Sequence, residues 1–240
     1  METTTSIALS RQIVLRRQMD VIANNIANMT ATGFRAESLL AEQVPVDVGP
    51  RQTVRYVQDV AVVRDLTPGA MIPTSNPLDL AIEGEAYFVV ATEEGDRYTR
   101  NGQFRMNELG ELVTASDEPL LDIVGVPIVV PPGGGPVTIA PDGTVSTPDF
   151  VLGRIGLVRF DDAQDLQKAG HGLYRTDQAP VPVEDVSVIQ GMIEGSNVRP
   201  VVEMTEMMMT LRAYQSTKQV VDAHHELERR MIERTLEVGG

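Results

Sequence analysis

Val21-Ile22-Ala23-Asn24-Asn25-Ile26-Ala27-Asn28-Met29-Thr30-Ala31-Thr32-Gly33-Phe34 is where a long helix stops and the rest of the chain begins. Upstream, Ile7, Ile13, Val14, Val21, Ile22 and Ile26 supply apolar side chains at intervals dominated by four and seven, which favours one stripe of a helix. The spacing predicts an amphipathic helix over residues 3–29. Asn24, Asn25 and Asn28 then bring amides that compete for backbone hydrogen bonds, and Gly33 offers a left-handed position. Three asparagines in the last turns point to defined polar contacts. The plainer reading is a frayed helix end rich in turn formers.

The partner of this stretch lies at the other end. Residues 201–236 contain neither Gly nor Pro, and Met207, Leu211, Tyr214, Val221, Met231 and Ile232 fall at helical intervals, with Met204, Met208, Val220, Leu227 and Leu236 widening the stripe. Pro200 suits a first helical turn, and Glu203 and Glu206 follow where carboxylates favour the positive helix end. Such a helix spans roughly 50 Å. That length points to a coiled coil or a helical array. An isolated amphipathic helix is marginal in water, so both terminal helices require burial against something.

The chain between them has a different period. Residues 36–74 read as an extended linker with some β-pairing, punctuated by Pro45, Gly49, Pro50, Pro68 and Gly69. Leu78, Leu80 and Ile82 alternate with Asp79, Ala81 and Glu83, which is a strand with one buried face. Tyr87–Ala91 is the next strand. Asn101-Gly102, between Arg97–Arg100 and Gln103–Met106, is a strong hairpin signal. Further short strands surround turns at Asn107–Gly110, Gly125–Pro127 and Pro141–Gly143, and Asp161–Ala169 is expected to hold a helical turn. The fold class is a mainly β middle domain with long N- and C-terminal α-helices forming a coiled-coil-like terminal domain. Its divisions are an N-terminal helix (1–35), a linker (36–74), an all-β outer domain (75–185), a return linker (186–200) and a C-terminal helix (201–240).

Composition narrows the function. The 240 residues carry 34 Asp and Glu against 20 Lys and Arg, a formal charge of -14. That balance opposes a phosphate backbone or an anionic lipid surface. The acidity is concentrated in the middle: residues 1–35 carry Arg11, Arg16, Arg17 and Arg35 against Glu2 and Asp20. Aromatic content is 4% and Trp is absent, so an aliphatic core is expected. There is no cysteine, which removes disulfides, thiol catalysis and thiolate metal sites. A basic segment leading into a continuous apolar run is missing, so no cleaved secretory signal and no membrane span are expected.

Residues that carry chemistry do not assemble into a reactive pattern. Gly133-Gly134-Gly135 sits between prolines and lacks the lysine of a phosphate cradle. His171, His224 and His225 are the only histidines, and metal ligation needs further ligands that sequence spacing does not supply. Asp161, Asp162 and Asp165 do not follow the twelve-residue calcium pattern. Met207-Met208-Met209 reads as adaptable packing rather than a cofactor site. Adjacent carboxylates are frequent in so acidic a chain and carry no weight toward glycoside hydrolysis. No catalytic residue, metal site, cofactor, nucleic acid or small-molecule substrate is expected.

Three blocks of sequence do converge on a family. Ala23–Asn28 with Thr32-Gly33-Phe34 resembles the N-terminal signature of flagellar rod and hook proteins. Thr74–Gly84, then Tyr87–Val90 and Tyr98–Phe104, is similar to the opening of their middle β-domain, although Ser75 stands where the family often has glycine and Tyr87 where it often has phenylalanine. Glu194–Val198, Glu203-Met204-Thr205 and Arg212-Ala213-Tyr214 resemble their final segment. The blocks occur in order across nearly the whole chain, and Ser10–Asp20 most resembles the proximal-rod type. The resemblance implies a structural subunit of the basal-body rod, exported unfolded through the flagellum's own channel. It further implies helical assembly in the periplasm, lining of the export channel and transmission of torque from motor to hook. Its implied partners are copies of itself, other rod proteins and the export apparatus. The assembly motif it marks is Asn24, Asn25, Asn28, Thr32, Gly33 and Phe34, with Gly195, Asn197, Glu203, Met204, Thr205, Arg212 and Tyr214 at the C-terminal end. Its β-domain motif is Asn76, Leu78, Asp79, Gly84, Tyr98, Asn101 and Gly102.

Overall fold

Helix α1 (Glu2–Ala27) ends where the asparagines gather, and Gly33 adopts the expected left-handed conformation at φ 68°. The computed structural model describes residues 2–49, 52–183 and 185–238. The chain forms two units: Met1–Ala27, Ala36–Asp65 and Arg199–Gly240 in unit 1, and Asn28–Arg35 with Leu66–Val198 in unit 2. It is mostly β, with a helix at each end.

In unit 1, α1 packs against α2 (Pro200–Val238). Ala8, Val14, Ile22 and Asn25 are buried on α1, whereas Ile13 is 58% exposed. Ile13 lies nine residues before Ile22, about half a turn out of phase, so it leaves the expected stripe. On α2 the more sheltered positions are Glu203, Met207, Thr210, Tyr214, Thr217, Val221 and His224, at alternating steps of four and three. Two threonines therefore take buried places, and Thr217 meets its hydroxyl requirement by donating to the Ala213 carbonyl at 2.8 Å. Leu211, expected on the main stripe, and Met204, Met208, Val220 and Leu227, expected to widen it, are exposed instead. Met231, Ile232 and Leu236 have side chains outside those described.

Residues 36–74, expected as a linker, begin with a long antiparallel ribbon. Strands β1 (Glu37–Gly49) and β2 (Gln52–Arg64) are thirteen residues each. They pair from Glu37 opposite Arg64 to Gly49 opposite Gln52, with irregularities at Leu40/Ala41 and Asp47/Gly49. The expected turn residue Pro50 lies outside the described residues. Pro45 sits within β1 opposite Arg55, a place that a two-stranded ribbon tolerates because only one side of each strand donates to the ladder. The ribbon packs on α1.

Unit 2 contains β3 (Met71–Pro73), β4 (Leu80–Glu83), β5 (Tyr87–Thr92), β6 (Gly95–Thr99), β7 (Arg105–Met106) and β8 (Leu112–Val113). It continues with β9 (Thr138–Ile139), β10 (Thr144–Ser146), β11 (Val151–Arg154), β12 (Leu157–Arg159), β13 (Gln167–Gly170) and β14 (Leu173–Arg175). The last three are β15 (Val181–Pro182), β16 (Ser187–Gln190) and β17 (Met192–Glu194). A six-stranded sheet runs β13-β14-β6-β5-β12-β15, and β17 pairs with β3 while β16 pairs with β4. The return stretch 186–200 is thus partly strand, paired with the chain that leads into the unit. Within 161–169 the helical turn is the short 3-10 segment Ala163–Asp165, and the next residues join β13.

Strand β5 is buried on both faces. Phe88 and Val90 join Leu80, Ile82, Phe104, Leu112 and neighbours. Tyr87 and Val89 join Tyr98, Phe160, Leu166 and Tyr174. The second cluster is largely aromatic, with ring centroids 4.7 Å apart for Tyr98 and Phe160, so the core is not the purely aliphatic one expected from composition. Four of the ten aromatic residues gather there, three of them tyrosines, which bury a large ring while keeping a polar tip.

Asn101-Gly102 does not close a hairpin. Strand β6 pairs with β5 through a tight turn at Glu93-Glu94, and with β14 on its other side. After β6 the chain crosses to pair β7 with β8. Gly102 is needed for close approach: a Cβ there would lie 1.7 Å from the Leu80 carbonyl oxygen, and Leu80 N–H donates to the Gly102 carbonyl at 2.9 Å. Gly102→Ala is expected to destabilise unit 2 by about 3 kcal/mol through this forced displacement, read as a lower urea midpoint by tyrosine fluorescence. An unchanged midpoint would contradict the tight approach.

Candidate assembly site and its buried ionic junction

Glu194, the last residue of β17, is 1% exposed. Its Oε1 meets Arg35 at 2.8 Å and its Oε2 meets Arg100 at 2.6 Å. Gly69 N–H donates to Oε1 at 3.0 Å, and Arg100 Nε to Oε2 at 2.8 Å. The Glu194 carbonyl accepts from Gly33 N–H at 2.7 Å. One carboxylate therefore faces two guanidinium groups, and backbone carbonyls take the surplus donors. Arg35 donates to Leu66 and Thr67, and Arg100 to Ile82, Gly84 and Ala86. Burial lowers the Arg35 pKa, Glu194 raises it, and Arg100 lowers it again.

The motif residues around this junction are drawn into it. Gly33 carries no side chain because a Cβ would lie 2.5 Å from the Arg100 carbonyl carbon. The Phe34 carbonyl accepts from Asn197 N–H at 3.3 Å, and Asn197 Nδ2 donates to the Thr67 carbonyl at 2.9 Å. Gly195 N–H donates to Ala70 at 2.8 Å. Thr32 donates to the Gln103 side chain at 3.1 Å, and Lys168 Nζ lies 4.9 Å from the centre of the Phe34 ring.

In unit 1, Asn25 extends the buried side of α1 as a polar member. Its Nδ2 donates to the Glu37 carbonyl at 2.7 Å and its Oδ1 accepts from Glu37 N–H at 2.9 Å. It also acts on the Glu203 carboxylate of α2, lowering that group's pKa. One amide thus ties α1 to β1 through two hydrogen bonds. The sequence pointed to defined polar contacts for the three asparagines; Asn25 makes such contacts inside the chain, while Asn24 is exposed and Asn28 half-buried. Glu203 borders a cavity of about 360 Å³ with Gln18, Ile22, Asp65 and Glu206, and its buried Oε2 has no hydrogen-bond partner.

The remaining motif positions divide by role. Asn76 holds its own turn: Nδ2 donates to Asp79 at 2.9 Å and Oδ1 accepts from Leu78 N–H at 3.1 Å. Asn101 Oδ1 accepts from Gln103 N–H at 3.1 Å in the same manner. Asp79 and Tyr98 are buried, and Gly84 has a positive φ of 125°. On α2, Thr205 donates to the Val201 carbonyl at 2.7 Å, Tyr214 is half-buried, and Met204 and Arg212 are exposed. Arg35, Arg100 and Glu194 were not singled out from sequence. A lone charge in each of three distant motifs was the available signal, but pairing across a separation of 94 residues between Arg100 and Glu194 is not a local property. Among the described residues, no cluster of His, Asp or Glu is placed to hold a metal ion, and no helix is long and apolar enough to cross a membrane.

Three family models match the chain in order. Residues 6–35 match the flagella basal body rod protein model. Residues 81–147 match the flagellar hook protein FlgE/F/G D1 domain, and residues 189–234 the flagellar basal body rod FlgEFG protein C-terminal model. The flagellar basal-body rod protein FlgF of Caulobacter vibrioides is 43% identical, with 98% of each chain covered. The chain belongs to the flagellar basal-body rod protein family. Within it the chain is FlgF-like: the FlgF proteins of Mesorhizobium japonicum and Salmonella typhimurium are 37% and 35% identical, covering 90% and 89% of this chain and 91% and 90% of theirs. Each residue of the ionic junction in this rod protein falls in a different matched segment: Arg35 in the first, Arg100 in the second and Glu194 in the third.

Two outcomes test this geometry. Glu194→Gln leaves two buried guanidinium groups without a counter-charge and is expected to cost about 3–5 kcal/mol, measured by urea unfolding; a loss within experimental error would remove the junction from the account. The Glu203 pKa is raised, first by burial, against which the Asn25 hydrogen bond lowers it and Glu206 raises it further. The folded state therefore favours the protonated form, so the charged form weakens unit 1 above the folded pKa and the penalty disappears as pH falls through it. Glu203→Gln should raise the melting temperature of unit 1 at neutral pH, with the gain shrinking on acidification. A gain that grows on acidification would reverse the sign.

Proposed function

We propose that this rod structural subunit assembles helically with copies of itself and with other rod proteins. In this reading α1 and α2 pair in coiled-coil fashion within an inner layer that lines the export channel, and the rod spans the periplasm and carries torque from motor to hook. Partnership with the export apparatus follows from passage through that channel. The observation that carries the reading is the unfinished burial of the terminal helices. Leu9 and Ile13 on α1, and Met204, Met208, Leu211, Val220 and Leu227 on α2, are exposed. A helix apolar on several sides is built to be surrounded.

The junction supports the mechanical part. The chain passes between its units at 27–28, 35–36, 65–66 and 198–199. Arg35, Leu66, Thr67 and Asn197, next to three of these crossings, are tied into the Glu194 network, and Gly33 follows the other. A pull along these segments is met by hydrogen bonds and ion pairs within unit 2. Asn24, Asn28, Thr32, Met204, Thr205, Arg212 and Tyr214 are assigned to assembly in this reading, and Asn25 to fixing the shape that assembles.

Cryo-electron microscopy of basal bodies from wild-type and Asn25→Ala/Asn28→Ala cells tests it. Wild-type density is expected to place this chain in the rod with its helices at the channel wall. The double variant is expected to lack complete rods and motility. Wild-type density outside the rod would overturn the assignment; complete rods and normal swimming in the variant would remove these amides from it.

A further inference from the structure

Two guanidinium groups share the Glu194 carboxylate, so the junction carries one positive charge in excess. A cavity of about 60 Å³ lies beside it, lined by Arg35, Arg100 and a third guanidinium, that of Arg159. The acidic residue on its wall is Glu85. With Glu194 included, three positive groups stand against two negative ones.

The donors around this space are not used up. Arg100 spends its hydrogens on Glu194 and on the Ile82, Gly84 and Ala86 carbonyls. Arg35 gives Nη1 to Leu66 and Thr67 and Nη2 to Glu194, which leaves its Nε–H without an acceptor among the described residues. The side chains of Arg159 and Glu85 have no hydrogen-bond or ion-pair partner among the described residues, so Glu85 does not cancel Arg159 by direct contact. Phe160 and Ala163 supply apolar wall. Arg35 and Arg100 are only 5% and 3% exposed, so water solvates their charge poorly. Burial accordingly lowers the Arg35 pKa; Glu194 offsets this in part and Arg100 lowers it again.

We propose that this cavity is a binding site for one small inorganic anion of halide size. Three features select that ligand. The wall is net positive, and an anion inside it supplies the counter-charge that the junction lacks. The donors are guanidinium N–H groups, which hold anions through charge-assisted hydrogen bonds. The volume sets the size. Roughly 10–15 Å³ of such space holds a water molecule, so the cavity takes a halide with little besides, and no sugar acid or nucleotide. The three arginines meet only in the folded chain, so the ion stabilises unit 2 by mass action.

Chloride is the probe. The purified full chain is added to sodium chloride and the chloride-35 NMR line width is followed. Thermal unfolding is recorded by tyrosine fluorescence in sodium chloride and in sodium gluconate of equal ionic strength, because gluconate screens charge but is too large to enter. The expected result is excess line broadening that bromide displaces, and a melting temperature that climbs with chloride beyond its value in gluconate. Arg159→Gln, at an exposed position, should lose both effects while keeping the wild-type circular-dichroism spectrum. Arg175→Gln, an exposed arginine of the same unit outside the cavity, should keep both. Glu85→Gln removes the acid on the wall and should lower the chloride concentration at which the effects are half complete. Broadening that is absent, that bromide does not displace, or that persists in Arg159→Gln would mean a cavity filled with water or diffuse attraction to the surface, and would overturn the proposal. So would equal melting temperatures in the two salts, loss of the effects in Arg175→Gln, or weaker chloride binding in Glu85→Gln. If Arg159→Gln fails to fold, bromide displacement and the two-salt comparison on the wild-type chain decide.

Discussion

A single carboxylate, that of Glu194, holds together segments that are far apart in the chain. It lies between Arg35 and Arg100 and accepts Gly69 N–H. A buried ion pair is a weak source of net stability, because removing charges from water costs about as much as their attraction returns. Its value is in geometry. With one carboxylate for two guanidinium groups, only an arrangement that also supplies carbonyl acceptors is acceptable, and Leu66, Thr67, Ile82, Gly84 and Ala86 supply them. A misplaced segment leaves a buried charge without a partner. The cluster therefore selects one route for the chain.

Unit 2 is made of strands of two to six residues, too short to hold one another by pairing alone. Its turns compensate with local side-chain bonds. Asn107 Oδ1 accepts from Leu109 and Glu111 N–H groups, Asp122 Oδ1 from Val124 and Val126, and Asp142 Oδ1 from Thr144. These bonds satisfy backbone donors at places where no neighbouring strand does. Part of the acidity of the middle of the chain is thus structural. The Asp142 pKa is lowered chiefly by its hydrogen bonds from Thr144.

Unit 1 follows the opposite economy. Its helices are long and its ribbon is long, yet the side of α2 that meets α1 mixes Met207, Tyr214 and Val221 with Glu203, Thr210 and Thr217, while Met204, Met208, Met209, Leu211 and Leu227 are exposed. Packing within the chain thus uses a half-polar stripe. The more strongly apolar faces are left for whatever surrounds the unit. Asn25 offsets the weakness of that internal seam by fixing α1 to β1 through two hydrogen bonds to one residue.

By itself the sequence determined the helices at both ends, the β character of the middle, the end of the first helix among its asparagines, the left-handed turn at Gly33 and the family, because each rests on local spacing or on a contiguous motif. The alternation of Leu80 and Ile82 with their neighbours is a property of a few residues and needs no partner to be legible. Only the tertiary structure decided which stripe of α2 is covered: Met208 and Thr210 point about 200° apart on any α-helix, and the position of α1 chooses between them. It also decided that Glu37–Gly49 and Gln52–Arg64, read as a linker with some β-pairing, are one long ribbon, since strand register belongs to two segments at once. Asn101-Gly102 carries a hairpin signature, but the closeness of the Leu80 carbonyl makes it a crossing. Arg35, Arg100 and Glu194 were ordinary charges in the sequence. They became a junction because the fold brought them out of water together, where an unpaired charge is costly enough to fix the path of the chain.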